Sequence, residues 1–237
     1  MRIIAITLAR GGSKGIPKKN MAYLSGKRLI DYTVDEAKKS NFIDRYIVST
    51  DDEEIAEYVS SLGVDVPFIR PSYLASDTAT STDALKHAVE FCELEEKIKY
   101  DLVVELMCTN PFKTSLDIDN CINLYKQNSV DSVIGVSKLE DHHPARIKKV
   151  VNGYIRDFVI PEISSRRQDL KPDAYIRNGS IYAISRNKLM NDNYRFGGKN
   201  SMAYIMDEPA HINIDTKWDL LLADLILRNK NKDENEK

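Results

Sequence analysis

The segment "LARGGSKGIPKKN", Leu8 to Asn20, packs three glycines, three lysines and an arginine directly behind an apolar run. Glycine lets a backbone turn tightly and approach a ligand closely, and lysine and arginine supply charge-assisted donors suited to phosphate oxygens. The chemistry this points to is polyphosphate binding. Neither common phosphate loop fits. The spacing lacks the G-x-x-x-x-G-K-[ST] pattern that sets a lysine and a hydroxyl on a nucleotide and its magnesium, and it lacks the dinucleotide pattern G-x-G-x-x-G. The bland alternative is a solvated basic loop with glycines at its turns. Residues 9 to 30 shift the balance toward a ligand: they hold six basic side chains (Arg10, Lys14, Lys18, Lys19, Lys27, Arg28) and no acidic one, in a chain of net charge −2.

Other reactive side chains say less. Cys92, Cys108 and Cys121 form no C-x-x-C pair and read as reduced thiols. Cys108, in the loop-like "CTNP", has no histidine that sequence pairs with it as a nucleophile's base. His87, His142, His143 and His211 lack zinc-ligand spacing. The net charge argues against a general nucleic-acid binder. No apolar run approaches the ~20 residues of a membrane span, and the N-terminus lacks a signal-peptide pattern, so a cytoplasmic protein is the expectation.

The basic loop needs a scaffold, and strand and helix signals alternate through the first 137 residues. "IIAITLA" (Ile3 to Ala9) reads as a buried strand, followed by a helix near Leu29 to Ser40 and a strand at Tyr46 to Thr50. A helix around Glu53 to Leu62, a short strand near Val64 to Ile69 and a helix with Leu85, Ala88, Val89 and Cys92 on one stripe come next. Ser81 or Thr82 can cap that last helix. "DLVVELM" (Asp101 to Met107), a helix carrying Ile118, Ile122 and Tyr125, and "SVIGVS" (Ser132 to Ser137) complete the series. This is the punctuation of an α/β protein with a doubly wound, mostly parallel sheet.

The pattern changes at Ile147 to Val159, where Asn152-Gly153 between two β-rich runs signals a hairpin. An insertion of this kind packs on a neighbouring subunit or closes over a ligand. "GSIYAIS", "AYIMD" and "HINID" then read as strands. Lys217 to Arg228 reads as a helix with Trp218, Leu221, Leu222 and Leu225 on one face, and the charged tail should fray. The expected division is an α/β nucleotide-binding domain over 1–137 and 176–229, a small β-rich dimerisation or substrate-lid insertion over 138–175, and a disordered tail over 230–237. In open α/β sheets ligands bind outside the carboxyl ends of the strands. The basic loop, "STDD", "CTNPFKT" and "DTKWD" all follow strands in this way. They bring cations and the Asp215 carboxylate to one edge, the layout of a metal-assisted nucleotidyl-transfer site.

At this point the chain resembles the CMP-sialic acid synthetases, or acylneuraminate cytidylyltransferases. "ARGGSKGIPKKN" is similar to the family signature A-R-x-x-S-K-G-x-x-x-K-N; "IVSTDDEEIA", "RPSYLASDTATS", "HHPAR", "RNGSIY" and "INIDTKWDL" resemble its later blocks. The resemblance covers all but the tail. It implies a Rossmann-like nucleotidyltransferase in which the anomeric hydroxyl of an acidic nine-carbon sugar attacks the α-phosphate of CTP, with Mg²⁺ or another divalent cation, in a homodimer. It also implies roles. Arg10 and Lys19 would clamp the triphosphate in a loop shaped by Ala9, Gly11, Ser13, Lys14 and Gly15. Asn20 would hold the ribose, and Arg70 and Ser81 would face the cytosine. Arg10, Lys19 and Asp215 would carry catalysis, with Asp215 and Asn213 at the metal. The sugar would meet Met107, Thr109, Asn110, Arg146, Arg167, Gln168, Arg177 and Asn178, Arg146 arriving in one arrangement from a partner subunit. Taken singly these residues have plainer readings: Lys19 and Arg146 as solvated charges, Ser81 as a helix cap, Asp215 as the N-cap of the final helix.

Three departures bear on the substrate. Asn213-Ile214-Asp215 stands where the family usually has D-I-D, so the metal site loses a charge. Met107 replaces the glutamine of the family's Q-P-T-S-P stretch and cannot hydrogen-bond a hydroxyl or amide as glutamine does. Arg177 is displaced by one relative to the family's arginine before N-G-x-I-Y. Together they favour a modified nonulosonic acid of the legionaminic type over sialic acid itself. The alternatives are CTP-dependent transfer to another acidic sugar such as Kdo, and a non-catalytic nucleotide-binding relative.

Overall fold

The structure, a computed structural model, describes residues 1–196, 199–207 and 209–235, with 231–235 described by backbone alone. Its strands are β1 (Ile3–Leu8), β2 (Tyr23–Leu24), β3 (Lys27–Arg28), β4 (Arg45–Ser49), β5 (Leu102–Leu106), β6 (Ser132–Lys138), β7 (Lys148–Val151), β8 (Tyr154–Asp157), β9 (Tyr175–Ser185) and β10 (Ser201–Ile205). Its helices are α1 (Leu29–Lys39), α2 (Glu53–Ser61), α3 (Ser81–Glu96), α4 (Ser115–Gln127), α5 (Arg186–Asp192) and α6 (Lys217–Asn235). Six strands form one sheet in the order β10-β6-β9-β5-β1-β4.

The central strands are apolar throughout because helices cover both faces. Ile3 and Ala5 of β1 join Leu102 and Val104 against Ile118 and Ile122 of α4. Ile4 and Ile6 point the other way, against Leu85, Ala88 and Val89 of α3. β1 is parallel to β4 and β5, and β10 is parallel to β6. β9 is antiparallel to both of its neighbours, β5 and β6. The mostly parallel sheet expected from sequence therefore holds, with one reversed strand. That reversal brings the start of β9, Arg177 and Asn178, to the edge where β5 and β6 end.

Two expected strands are absent. Val64 to Ile69 makes only isolated bridges, Ile47 to Asp65 and Thr50 to Ile69, because Pro67 interrupts the segment and has no N–H to donate to a ladder. "HINID" is a loop in which Ile212 and Ile214 are buried by packing on Leu29 and Phe112. Ile214 ties it to the body, its N–H donating to the Thr109 carbonyl at 2.7 Å and its carbonyl accepting from Lys19 at 2.8 Å. The cap of α3 is Thr80, whose hydroxyl accepts the Asp83 N–H, and neither Ser81 nor Thr82 fills that role.

The Asn152-Gly153 hairpin is present as β7 and β8, and both turn residues have positive φ (50° and 80°), as a type I′ turn requires. It projects apolar side chains into solvent: Val150, Ile155 and Val159 are 72%, 68% and 74% exposed. α6 buries Ala223 and packs Leu220, Ile226 and Leu227 inward, whereas Trp218, Leu221, Leu222 and Leu225 lie on its exposed side. The α6 backbone is helical through Asn235, and so enters the segment expected as a disordered tail; residues 236–237 of that tail lie outside the described residues. Among the described residues no helix is long and apolar enough to cross a membrane.

Candidate active site

The loop after β1 folds over the carboxyl edge of the sheet. Two glycines allow its course. A Cβ on Gly11 would collide with the Asp52 carboxylate, and one on Gly15 would collide with the Asp215 carbonyl oxygen. The Gly11 N–H instead donates to Asp51 at 3.1 Å. Lys18 takes a left-handed conformation (φ 48°), after which a short 3-10 turn, Lys19–Met21, directs Lys19 inward. Asn20, buried, closes the loop by donating its side-chain amide to the Arg10 carbonyl at 3.0 Å.

Beside this loop opens a cleft of about 550 Å³. Arg10, Ser13, Lys14, Gly15, Lys19 and Asn20 line it from the basic loop, and Arg70 and Ser81 from the opposite wall. Met107, Thr109 and Asp215 line its remaining side. Four cations thus share one cleft with two carboxylates, Asp77 and Asp215, a field that favours a polyanion.

The individual environments bear on the plainer readings. Lys19 is not a solvated charge: its side chain is 15% exposed, and its ammonium donates to Asp215 Oδ1 and to the Ile214 carbonyl, each at 2.8 Å. Asp215 does not cap α6. That task falls to Thr216 and Asp219, whose carboxylate accepts the Asp215 and Thr216 N–H groups at 3.0 and 2.7 Å. With α3 capped by Thr80, Ser81 is free for the cleft. Arg70 is 4% exposed and paired with Asp51 at 3.4 Å, while its Nε is buried without a partner. Burial lowers its pKa, partly opposed by Asp51.

The loop "RPSYLASDTATS" also brings to the cleft a residue that the sequence reading did not assign, Asp77. Asp77 pairs with Lys14 at 2.8 Å and with Arg10 at 3.5 Å, and the Lys14 hydrogen bond holds its carboxyl below the usual range. A lone acid in "RPSYLASDTATS", facing a loop with no acid of its own, was the signal available. Glu105 and Arg195 were also missed. Glu105 is 2% exposed and accepts two bonds from Arg195, both at 2.7 Å, and that guanidinium lies 3.9 Å from the Met107 sulfur. A glutamate inside "LVVELM" was the anomaly to notice.

Other candidates stand off from the cleft. Ala9 is fully buried behind the loop. Asn110 is buried too, its amide donating to the carbonyls of Asn178 and Ala210 at 3.1 and 2.7 Å. Asn178 donates to Ser137 at 3.1 Å. Arg177 is exposed, its guanidinium 3.6 Å from the Phe196 ring centre. Arg146 lies in the insertion and pairs with Glu162 at 3.4 Å. Arg167 and Gln168 line a second cavity of about 420 Å³ beside His143. Cys108 is not a thiolate nucleophile: burial pushes its thiol up to about 12.

A divalent cation has a narrow donor set here. Among the described residues no group of three or more His, Cys, Asp or Glu side chains could hold one. Asp215 offers a largely exposed carboxylate at the cleft. Asn213 turns its amide nitrogen, not its oxygen, toward Asp215 at 2.8 Å, and its oxygen is buried without a partner. One carboxylate fits a cation that arrives on nucleotide phosphates, the usual manner for Mg²⁺; it does not make a protein-built cage.

A three-layer α/β sheet carrying a cationic cleft at its carboxyl edge defines a nucleotidyltransferase architecture. Residues 4–198 match the family model described as cytidylyltransferase, and the chain belongs to that family. It is 30% identical, over 97% of its own length and 96% of the relative's, to the post-translational flagellin modification protein B of Campylobacter coli. It is likewise 30% identical to the pseudaminic acid cytidylyltransferase of Campylobacter jejuni subsp. jejuni serotype O:23/36, covering 96% of this chain and 97% of that one. Identity is 34% to the N-acylneuraminate cytidylyltransferase of Streptococcus agalactiae serotype V over 93% of this chain, which spans only 52% of that longer protein. Among solved structures, CMP:2-keto-3-deoxy-manno-octonic acid synthetase complexed with CTP superposes with a TM-score of 0.70 at 17% identity, covering 97% of this chain and 100% of the other, a likeness of fold.

Proposed function

We propose that the protein transfers CMP from CTP to the anomeric hydroxyl of an acidic nonulosonic sugar. The bond formed joins the sugar oxygen to the α-phosphorus; the bond broken links that phosphorus to the β-phosphate, and pyrophosphate leaves. The observation that carries the reading is the convergence of Arg10, Lys14, Lys19 and Arg70 on one cleft beside Met107 and Thr109. Family membership and relatives named for N-acylneuraminate and pseudaminic acid supply the substrate class.

In-line transfer needs positioning and charge neutralisation more than covalent help from the protein. Arg10 and Lys14 exchange the Asp77 carboxylate for triphosphate oxygens. Lys19, held by Asp215 and the Ile214 carbonyl, presents a fixed positive charge to the phosphates. Arg70 and Ser81 take the base end, Asn20 the ribose, and Met107 and Thr109 the acceptor end. Asp215 would help hold a divalent cation, which would supply further charge neutralisation when bound. Met107, in a place where the related signature has glutamine, favours an acceptor with an apolar group at that contact, as in a deoxygenated, di-N-acylated nonulosonate.

The exposed apolar side chains of the insertion, Val150 and Ile155 on the hairpin and Phe158 and Ile163 after it, the last two at 57% and 79% exposure, support a homodimer assembled through residues 138–175, which would place Arg146, Arg167 and Gln168 near the partner's acceptor end. Light scattering of the purified protein at micromolar concentration is expected to show a dimer, and a monomer there would refute this arrangement. The activity itself is tested by pyrophosphate release from CTP, with ATP, GTP and UTP as controls, across sialic, legionaminic-type and pseudaminic-type acids and Kdo. Release that requires both CTP and one nonulosonate is the expected result. CTP binding without release on any of these sugars would refute it.

A further inference from the structure

Lys113 is the largest fully buried side chain among the described residues, at 2% exposure. It lies in the loop between β5 and α4. Its ammonium donates to the Thr33 hydroxyl of α1 at 2.9 Å, to the Met107 carbonyl at 2.8 Å and to the Asn110 carbonyl. Three donors meet three acceptors. The titratable groups that face it are Cys108 on its own loop, Glu36 on α1 and Asp117 on α4. Both carboxylates are engaged elsewhere, Glu36 with Lys39 and the Ser115 N–H, Asp117 with Thr114 and Tyr204.

Burying an ammonium without a paired carboxylate is costly, and an apolar side chain would fill the same volume without that cost. What the cation adds is a three-way tie at one point. It fixes both ends of the turn from Met107 to Asn110. Met107 and Thr109 of that turn line the cleft, and the Thr109 carbonyl accepts the Ile214 N–H at 2.7 Å, one residue before Asp215.

We propose that Lys113 is a positioning residue of the active site, clamping the turn 107–110 to α1 so that Met107 and Thr109 hold the acceptor sugar against the nucleotide. The acceptor half of this statement rests on the proposed function. Burial pushes Lys113 down to about 8, so the clamp loses a proton in mildly alkaline solution. The neutral amine has two N–H donors for three acceptors, and the turn loosens as pH rises.

The test uses the protein labelled with ¹³C-methyl methionine, the Met107 signal being assigned by Met107→Leu. In the wild type that methyl is expected to titrate with a midpoint near pH 8, and in Lys113→Gln the titration is expected to vanish. Cys108 cannot supply such a midpoint, its thiol being held up at about 12. In turnover with the accepted sugar, Lys113→Gln is expected to raise the KM for the sugar by roughly tenfold while leaving that for CTP within about twofold. A Met107 signal flat from about pH 6 to about pH 10, or one that titrates unchanged in Lys113→Gln, would overturn the clamp. If Lys113→Gln does not fold, Thr33→Val removes one acceptor and should move the midpoint to lower pH; an unmoved midpoint would equally overturn it. Absence of turnover in the wild type would refute the substrate reading alone, since the methyl titration still decides the clamp.

Discussion

Lys19 and Asp215, 196 positions apart in sequence, meet at 2.8 Å and join the basic loop after β1 to the segment before α6. Both residues line the cationic cleft. If Lys19 acts on developing phosphate charge, Lys19→Ala lowers kcat/KM for CTP by about a hundredfold to a thousandfold, the usual range for loss of one preorganised donor. Asp215→Ala is expected to fall comparably, and the double variant to fall by less than the product of the single losses, because each residue holds the other. Steady-state kinetics on the four proteins measures that coupling.

Gly15→Ala is expected to be inactive or nearly so while remaining folded. The added methyl has no room against the Asp215 backbone and pushes the loop and the Asp215 segment apart. Overpacking of this kind costs about 1–3 kcal/mol, so urea unfolding should show a modest loss beside a disproportionate loss of turnover.

Asn213→Asp adds a carboxylate beside Asp215 and removes the amide that now donates to it. Mn²⁺ binding to the nucleotide-free enzyme, followed by electron paramagnetic resonance, is expected to tighten by about tenfold or more, on the scale at which neighbouring groups tune metal affinity. Binding no tighter than in the wild type would mean that the carbonyl oxygen of Asn213 already serves as a ligand.

Breaking the buried Glu105–Arg195 pair from one side should be expensive. Arg195→Met strands the glutamate and is expected to destabilise by about 3–5 kcal/mol, whereas Glu105→Leu combined with Arg195→Met recovers most of that loss. Denaturant midpoints of the two variants decide it. Because the guanidinium touches the Met107 sulfur, acceptor KM should change in both.

The buried thiols offer a check on the core. Burial pushes Cys92, Cys108 and Cys121 up to about 12. At pH 8 none should react with a disulfide reagent on the timescale of turnover, and all should react once the protein is unfolded. Rapid reaction of a thiol in the native protein would contradict the packing.

Much of the scaffold was legible in sequence because its signals are local. "IIAITLA" is uniformly apolar because it is covered on both faces, and the loop behind it is the basic stretch that lacks acids. The family resemblance assigns Arg10, Lys19, Arg70, Ser81 and Asp215 to the nucleotide and metal, and all five line one cleft in the fold. What escaped depends on long-range pairing. The direction of β9 is set by its neighbours β5 and β6, and no residue in "GSIYAIS" encodes it. "HINID" alternates like a strand because Ile212 and Ile214 are buried by side-chain packing rather than by a ladder. Lys113 and Glu105 escaped because lysine and glutamate are ordinarily solvated, and their burial shows only when Thr33, Asn110 and Arg195 are brought to them.

In the proposed reaction a sugar oxygen attacks the α-phosphorus of CTP. The most direct measurement starts from an acceptor nonulosonate carrying ¹⁸O at its anomeric hydroxyl and reads the products by ³¹P nuclear magnetic resonance. The isotope-shifted signal is expected in the CMP-sugar phosphodiester and none in pyrophosphate. Label in pyrophosphate, or an unshifted phosphodiester, would contradict it.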